Sequence, residues 1–285
     1  MADEFAIRVR GLKKAYGSTV AVDGVDLDVR RGEIFSLLGP NGAGKTTTVE
    51  ILEGYRRRDA GEVAVLGIDP NHPTSAWRAD IGIVLQSTGE FEELTVGEVV
   101  SHFALYYPNS DDPQAVVDRV GLGDKRNARA KTLSGGQKRR LDVALGIIGR
   151  PVLLFLDEPT SGFDPEARRE FWKLIKGLAA AGSTILLTTH YLDEAEALAD
   201  RVGVIADGRL LEVSPPATLA GRDKRPAVVR WREAGVAQRA ETNEPTAFVR
   251  ALADRLSGEI PGLSVTRPSL EDIYLAMIGK GKAEP

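Results

Sequence analysis

The residues best placed to do chemistry lie in "GPNGAGKTT", which is Gly39, Pro40, Asn41, Gly42, Ala43, Gly44, Lys45, Thr46 and Thr47. The stretch fits G-x4-G-K-S/T, the pattern of a loop that cradles phosphate. Gly42 and Gly44 let the backbone turn so that successive N–H groups converge on an anion, backed by the positive end of the helix that follows. In such a loop Lys45 reaches the β- and γ-phosphates and the Thr46 hydroxyl ligates Mg2+. A second cluster closes the run "VLLFLDE" at 152–158. A carboxylate at the C-terminal end of a buried parallel strand stands in the crevice where such sheets take ligands. Asp157 is suited to orient Mg2+, and Glu158 to polarise a water in line with the γ-phosphate.

The third stretch is "LSGGQKRR", beginning Leu133, Ser134, Gly135, Gly136, Gln137. Ser134 and Gln137 have the spacing of a capping box, in which each side chain satisfies a backbone donor at a helix start. The two glycines need another reason, since Gly in a helix costs about 1 kcal/mol relative to Ala. Stripping side chains from a first turn opens its positively polarised N–H groups to close approach by an anion. The phosphate loop already has its own helix, so a second anion site calls for a second source of phosphate.

The elements that must position these groups are legible in the hydrophobic periodicity. "FAIRVR" and "VAVDGVDLDVRRG" alternate apolar and polar residues, as half-buried antiparallel strands do. "EIFSLLG", "VLLFLDE" and "STILLTTH" are short, nearly continuous apolar runs, the mark of buried parallel strands. "GEVAVLG" and "IGIVLQ" are further strands. After the phosphate loop, Thr48, Ile51, Leu52 and Tyr55 fall on one helical face. From about 94 to 149 the period is mostly helical, with Leu141, Ala144, Leu145 and Ile148 as one stripe. Another helix has Asp164 as cap, Pro165 at its first position and Phe171, Leu174, Ile175 and Leu178 facing inward. The alternation implies an α/β fold with a parallel sheet covered on both faces. Pro, Gly and charge concentrate in "SPPATLAGRDKRP" (214–226), a linker ahead of a small α+β tail. The expected domains are 1–220 and 221–285.

Composition bounds the partners. The 285 residues are 42% hydrophobic, carry a formal charge of −4 and contain no cysteine. Disulfides and thiolate metal sites are excluded, and no basic excess points to nucleic acid. The acidic start "MADEF" lacks the apolar core of a secretory signal, and no apolar run approaches the roughly 20 residues of a membrane helix. A membrane process would need a second protein to supply the membrane span.

In order, "GPNGAGKTT", "IGIVLQ", "LSGGQ", "LLFLDEP", "SGFD" and "LLTTH" resemble the nucleotide-binding subunit of an ATP-binding-cassette transporter over roughly residues 5–215. The resemblance implies a phosphate-loop NTPase core with an antiparallel β subdomain and a helical signature subdomain. It implies ATP and Mg2+ as ligands and a head-to-tail pair of cassettes, of two identical or two different chains. Each ATP would lie between one subunit's phosphate loop and the other's "LSGGQ". It further implies that Gln86 contacts Mg2+ and the attacking water, that His190 bonds the γ-phosphate, that Tyr16 stacks on adenine and that Asp164 crosses the dimer interface. Phe163 stands where the family often has Leu, which bears on interface packing.

The C-terminal "PSLEDIYLAMIG" (268–279) resembles the ending of daunorubicin-resistance-type exporter ATPases, with Leu270, Ile273, Tyr274 and Met277 as an amphipathic stripe that should dock. Phe91, flanked by Glu92 and Glu93, is expected as an apolar knob for a membrane partner. The whole implies a peripheral ATPase at the cytoplasmic face, exporting drug- or lipid-like molecules through a separate multi-span permease. An importer ATPase is a second reading. A cassette acting on ribosomes or nucleic acid is a third, against which stand the single set of motifs and the lack of sustained heptads.

Overall fold

In the computed structural model, which describes residues 4–84 and 91–280, alternating and continuous apolar runs become two kinds of sheet. β1 (Phe5–Tyr16) pairs antiparallel with β2 (Thr19–Arg30) and with β4 (Ala60–Val65), so that Ile7, Val9 and Leu12 meet Val29, Leu27 and Val25 on a buried face. The continuous apolar runs form the other sheet. β3 (Ile34–Leu38), β5 (Ile81–Val84), β6 (Leu153–Asp157), β7 (Thr184–Thr189), β8 (Arg201–Ala206) and β9 (Arg209–Ser214) stand in the order β5-β6-β7-β3-β8-β9. The pairings of β5 with β6, β6 with β7, β7 with β3 and β3 with β8 are all parallel.

Alternate residues of this sheet feed two different cores. Leu153, Phe155 and Leu186 pack with Ile7, Val9 and Val63 of the antiparallel sheet and with Val49 and Ile51. Leu154, Leu156, Ile185 and Leu187 pack with the helices of the other face. Those helices are α3 (Val96–Ala104), α4 (Pro113–Arg119), α5 (Gly135–Ile147) and α6 (Pro165–Ala180). Each has the start its sequence encodes: Thr95 with Glu98 and Ser134 with Gln137 close capping boxes, and Asp112 and Asp164 accept from first-turn N–H groups ahead of Pro113 and Pro165. The expected inward stripe of α6, Phe171, Leu174, Ile175 and Leu178, is buried.

One expectation is corrected. α1 (Lys45–Leu52) ends before Tyr55, which is 79% exposed. Gly54 at φ +75° turns the chain, with Tyr55 N–H bonded back to the Glu50 carbonyl, so the face begun by Thr48, Ile51 and Leu52 does not continue. The expected stripe of α5, Leu141, Ala144, Leu145 and Ile148, is buried, and Asp142, Val143, Gly146 and Ile147 are buried with it. Phe91 is half-buried. Its ring packs edge-on to Phe103 at 5.3 Å, while Glu93 pairs with Lys131 and Arg129, and Glu92 with Lys138.

The chain divides into two compact units, Met1–Val213 and Ser214–Pro285. The second contains an antiparallel sheet in the order β11-β10-β12, from β10 (Ala227–Glu233), β11 (Val236–Thr242) and β12 (Ser264–Thr266). Val229 and Trp231 pack with Leu252 and Phe248 of α8 (Pro245–Leu256) and with Ile260. In α9 (Leu270–Lys280), Leu270, Ile273 and Tyr274 are buried and Met277 is half-buried, and the helix packs against the 3-10 segment Leu219–Lys224 of the same unit. Among the described residues no helix is long and apolar enough to cross a membrane.

Candidate functional site

Sheet order gathers the chemistry. β7 lies between β3 and β6, so the ends of three parallel strands deliver the phosphate loop, the 157–158 carboxylates and His190 to one edge. The loop's glycines answer to separate constraints. A Cβ on Gly39 would stand 2.3 Å from the Ile205 carbonyl oxygen, and one on Gly44, at φ +100°, 2.3 Å from that of Ala21. Gly42 has open space but φ +80°. Gly44 also supplies no side chain to cap α1, so the first turn of that helix has no cap acceptor competing for its N–H groups.

Lys45 is buried, and its Nζ donates to the carbonyls of Gly39 (2.8 Å) and Pro40 (3.2 Å) and stands 4.0 Å from Glu158 Oε1. Burial pushes its ammonium below the ordinary lysine range, and the charges of Glu158 and Asp157 offset part of that. Asp157 ends β6 and accepts from the Thr188 hydroxyl. Glu158 lies just past the strand at φ +43°, a conformation a non-glycine residue adopts only when its surroundings hold it there. Its N–H donates to Thr188 Oγ1 (3.1 Å) and to the Thr188 carbonyl (3.2 Å), and its Oε1 lies 3.1 Å from His190 Nδ1. His190 itself rests on the Tyr191 ring, with centroids 4.0 Å apart. Lys45, Asp157, Glu158 and His190 thus form one connected group. Thr46 follows Lys45 in the first turn of α1, and its hydroxyl and the Asp157 carboxylate are hard oxygen donors of the chemistry that suits Mg2+.

The remaining expected residues make contacts of their own, and Gly135 and Phe163 share a cavity with Glu158. Tyr16, at the end of β1, is 40% exposed, with the Arg56 guanidinium 5.2 Å and Lys14 Nζ 5.6 Å from its ring centre. Leu133 is buried, while Ser134 N–H donates to Gln137 Oε1 (3.0 Å) and Gln137 N–H to Ser134 Oγ (3.3 Å). Asp164 Oδ1 accepts from the N–H groups of Glu166 and Ala167. Phe163 packs edge-on to Phe171, at 5.6 Å between ring centres. Gln86 lies outside the described residues.

Two residues escape sequence reasoning. Glu53, just past α1, has its carboxyl pushed up to about 8, by burial first and then by the charges of Asp157 and Glu50. Nothing in "EILEG" distinguishes it from an exposed acid. Arg139 sits among "KRR", which reads as a solvated basic face, yet it is buried and bonded to the loop around Glu158. Only the burial of α5 on every side would have singled it out.

The profile of the ABC transporter family matches residues 22–161. The daunorubicin/doxorubicin resistance ATP-binding protein of Streptomyces peucetius is 37% identical, over 96% of this chain and 92% of its own. A Nod factor export ATP-binding protein of Ralstonia nicotianae is 38% identical, over 96% and 94%. Among solved structures, a bacterial ABC transporter cassette described as dimeric has a TM-score of 0.66 at 24% identity, over 73% of this chain and 98% of that one. With relatives of that identity along nearly its whole length, and with a phosphate loop, paired carboxylates and a capped "LSGGQ" helix on the sheet they require, the chain belongs to the ABC transporter family, as one of its ATP-hydrolysing cassette subunits.

Proposed function

We propose that this chain powers an exporter of drug- or lipid-like molecules, pairing head to tail with a second cassette on ATP and driving a separate multi-span membrane protein from the cytoplasmic face. The relatives named for drug resistance and for export support the direction of transport. The observation that carries the pairing is the openness of the "LSGGQ" turn. A Cβ on Gly135 would meet nothing within 4 Å, and one on Gly136 only ordinary contacts with Ala167 and Phe163 at 3.8 and 3.9 Å. Neither glycine has a positive φ. Nothing within the described chain calls for them, whereas Gly39 and Gly44 are enforced by nearby backbone. An anion approaching from outside, the phosphate of a partner's ATP, supplies the reason.

In the proposed site the residues of the phosphate loop, Gly39 to Thr47, cradle the phosphates and Lys45 donates to the β- and γ-oxygens. Thr46, Asp157 and Gln86 hold Mg2+, which when bound neutralises charge on the phosphate oxygens. Glu158 orients and polarises the attacking water, and His190, bonded beside it, hydrogen-bonds the γ-phosphate. Tyr16 offers a face to adenine, and Ser134, Gly135, Gly136 and Gln137 close over the partner's nucleotide with Asp164 alongside. Positioning and charge stabilisation do nearly all the work in phosphoryl transfer.

Purification from native membranes in mild detergent with Mg-ATP tests the reading. The Glu158→Gln chain is expected as a cassette pair with a multi-span membrane protein, hydrolysing ATP about a hundredfold or more slowly than the unaltered chain. Adding Gly135→Asp should separate the pair while the fold persists. Recovery as a lone monomer in Mg-ATP, or in the soluble fraction with ribosomes or nucleic acid, overturns it.

A further inference from the structure

Arg139 is the fifth residue of α5, the helix that opens with "GGQ". Its side chain is buried, only 7% exposed, and leaves the helix to reach the turn that follows β6. Nη2 donates to the Asp157 carbonyl at 2.7 Å and Nε to the Pro159 carbonyl at 3.1 Å, the backbone oxygens on either side of Glu158. Asp142, one turn along the helix, stands 3.9 Å from Nη1 and offsets the charge.

The peptide plane that precedes Glu158 is therefore pinned at both ends. Its oxygen is held by Arg139 and its N–H by Thr188. This plane helps set φ of Glu158, which is +43°, a value a non-glycine residue keeps only when its surroundings hold it there. Beside the bridge lies a cavity of about 580 Å3, lined by Gly135, Arg139, Asp142, Glu158 and Phe163 among others. At the edge of this cavity the guanidinium spans from the signature helix to the carboxylate turn.

We infer that Arg139 is a positioning residue: it holds the backbone that aims Glu158, and ties that aim to the helix whose first turn receives the partner's nucleotide. Movement of α5 on closing over that nucleotide is then transmitted to the Glu158 of the same chain, through a planar fork with two donors engaged. The inference rests on the proposed role of Glu158 in hydrolysis.

Arg139→Lys keeps the charge beside Asp142 but has no fork to hold both carbonyls. In the full-length chain, in the assembly that hydrolyses ATP, it should lower kcat about tenfold or more with KM for ATP and the equilibrium affinity for ATP changed by no more than about twofold. The double variant Arg139→Met with Asp142→Leu removes the bridge by a change that commonly leaves stability intact or raises it. It should lose kcat similarly. In a Glu158→Gln background neither change should slow the residual rate further, because residues acting through one group do not add. Undiminished kcat in both variants overturns the inference. So does a loss that tracks the unfolded fraction in a thermal melt, appears in KM instead, or persists undiminished in the Glu158→Gln background. If Glu158→Gln itself hydrolyses ATP at the full rate, the reading of the site fails instead.

Discussion

At the scale of single residues, the site concentrates groups held away from their ordinary state. Glu53 makes the point most testably. Its carboxyl, pushed up to about 8 by burial and by the nearby charges of Asp157 and Glu50, binds its proton more tightly in the folded chain than in the unfolded one. The folded state therefore carries the extra proton between the ordinary glutamate range and about pH 8, and stability falls as pH rises through that window. Glu53→Gln should remove the fall. Without nucleotide, the thermal midpoint should rise by a few degrees over wild type at about pH 8.5 and differ little at about pH 5. Parallel shifts at both pH values would refute the assignment. The sequence made Lys45, Asp157 and Glu158 legible because their neighbours have stereotyped spacing. Glu53 and Arg139 were hidden because their importance comes from chain segments far off in sequence.

At the scale of elements, boundaries were most legible where a side chain caps a helix and least where backbone geometry ends one. Ser134 and Asp164, legible as caps in the sequence, accept from first-turn N–H groups as expected, and Thr95 and Asp112 do the same unannounced. By contrast α1 ends by a left-handed glycine, and the helical stripe that seemed to run through Tyr55 was cut short by it. The Thr95 cap is the cleanest to test, since its capping bonds run to Glu98, a residue outside the proposed site. Thr95 Oγ1 accepts from Glu98 N–H, and Glu98 Oε2 accepts from both Thr95 N–H and its hydroxyl. Thr95→Ala should lower the thermal midpoint by about 2–4 °C, with ATP affinity unchanged. A calorimetric scan showing no loss would mean the box adds nothing to the first turn. The aromatic step from Phe91 to Phe103 to Tyr106 was illegible for another reason. An acidic neighbour reads as a solvated loop, and only the folded helices reveal that Glu92 and Glu93 have cationic partners.

At the scale of the whole molecule, the parallel sheet was readable from its short apolar runs, while the order of its strands was not. β3, which leads into the phosphate loop, is flanked by β7 and β8, strands about 150 residues later in the chain. The loop is backed the same way. Gly208 N–H bonds to the Ala43 carbonyl, and Asp23 N–H to that of Gly208, in the turn Asp207–Gly208 where both residues have positive φ. A chain ending at Asp200 keeps every motif through His190 but lacks β8 and this turn. It should bind a fluorescent ATP analogue far more weakly than the full chain, and equal binding would show the loop to be self-supporting. The same arrangement sets a timetable for biosynthesis. A ribosome that has delivered the phosphate loop has yet to make the strands that enclose it, and non-local parallel pairing forms slowly. On the outcome expected of the truncated chain, the nascent cassette meets ATP before it can hold it. Nucleotide capture thereby becomes a late event, available as a signal that the first unit has been completed.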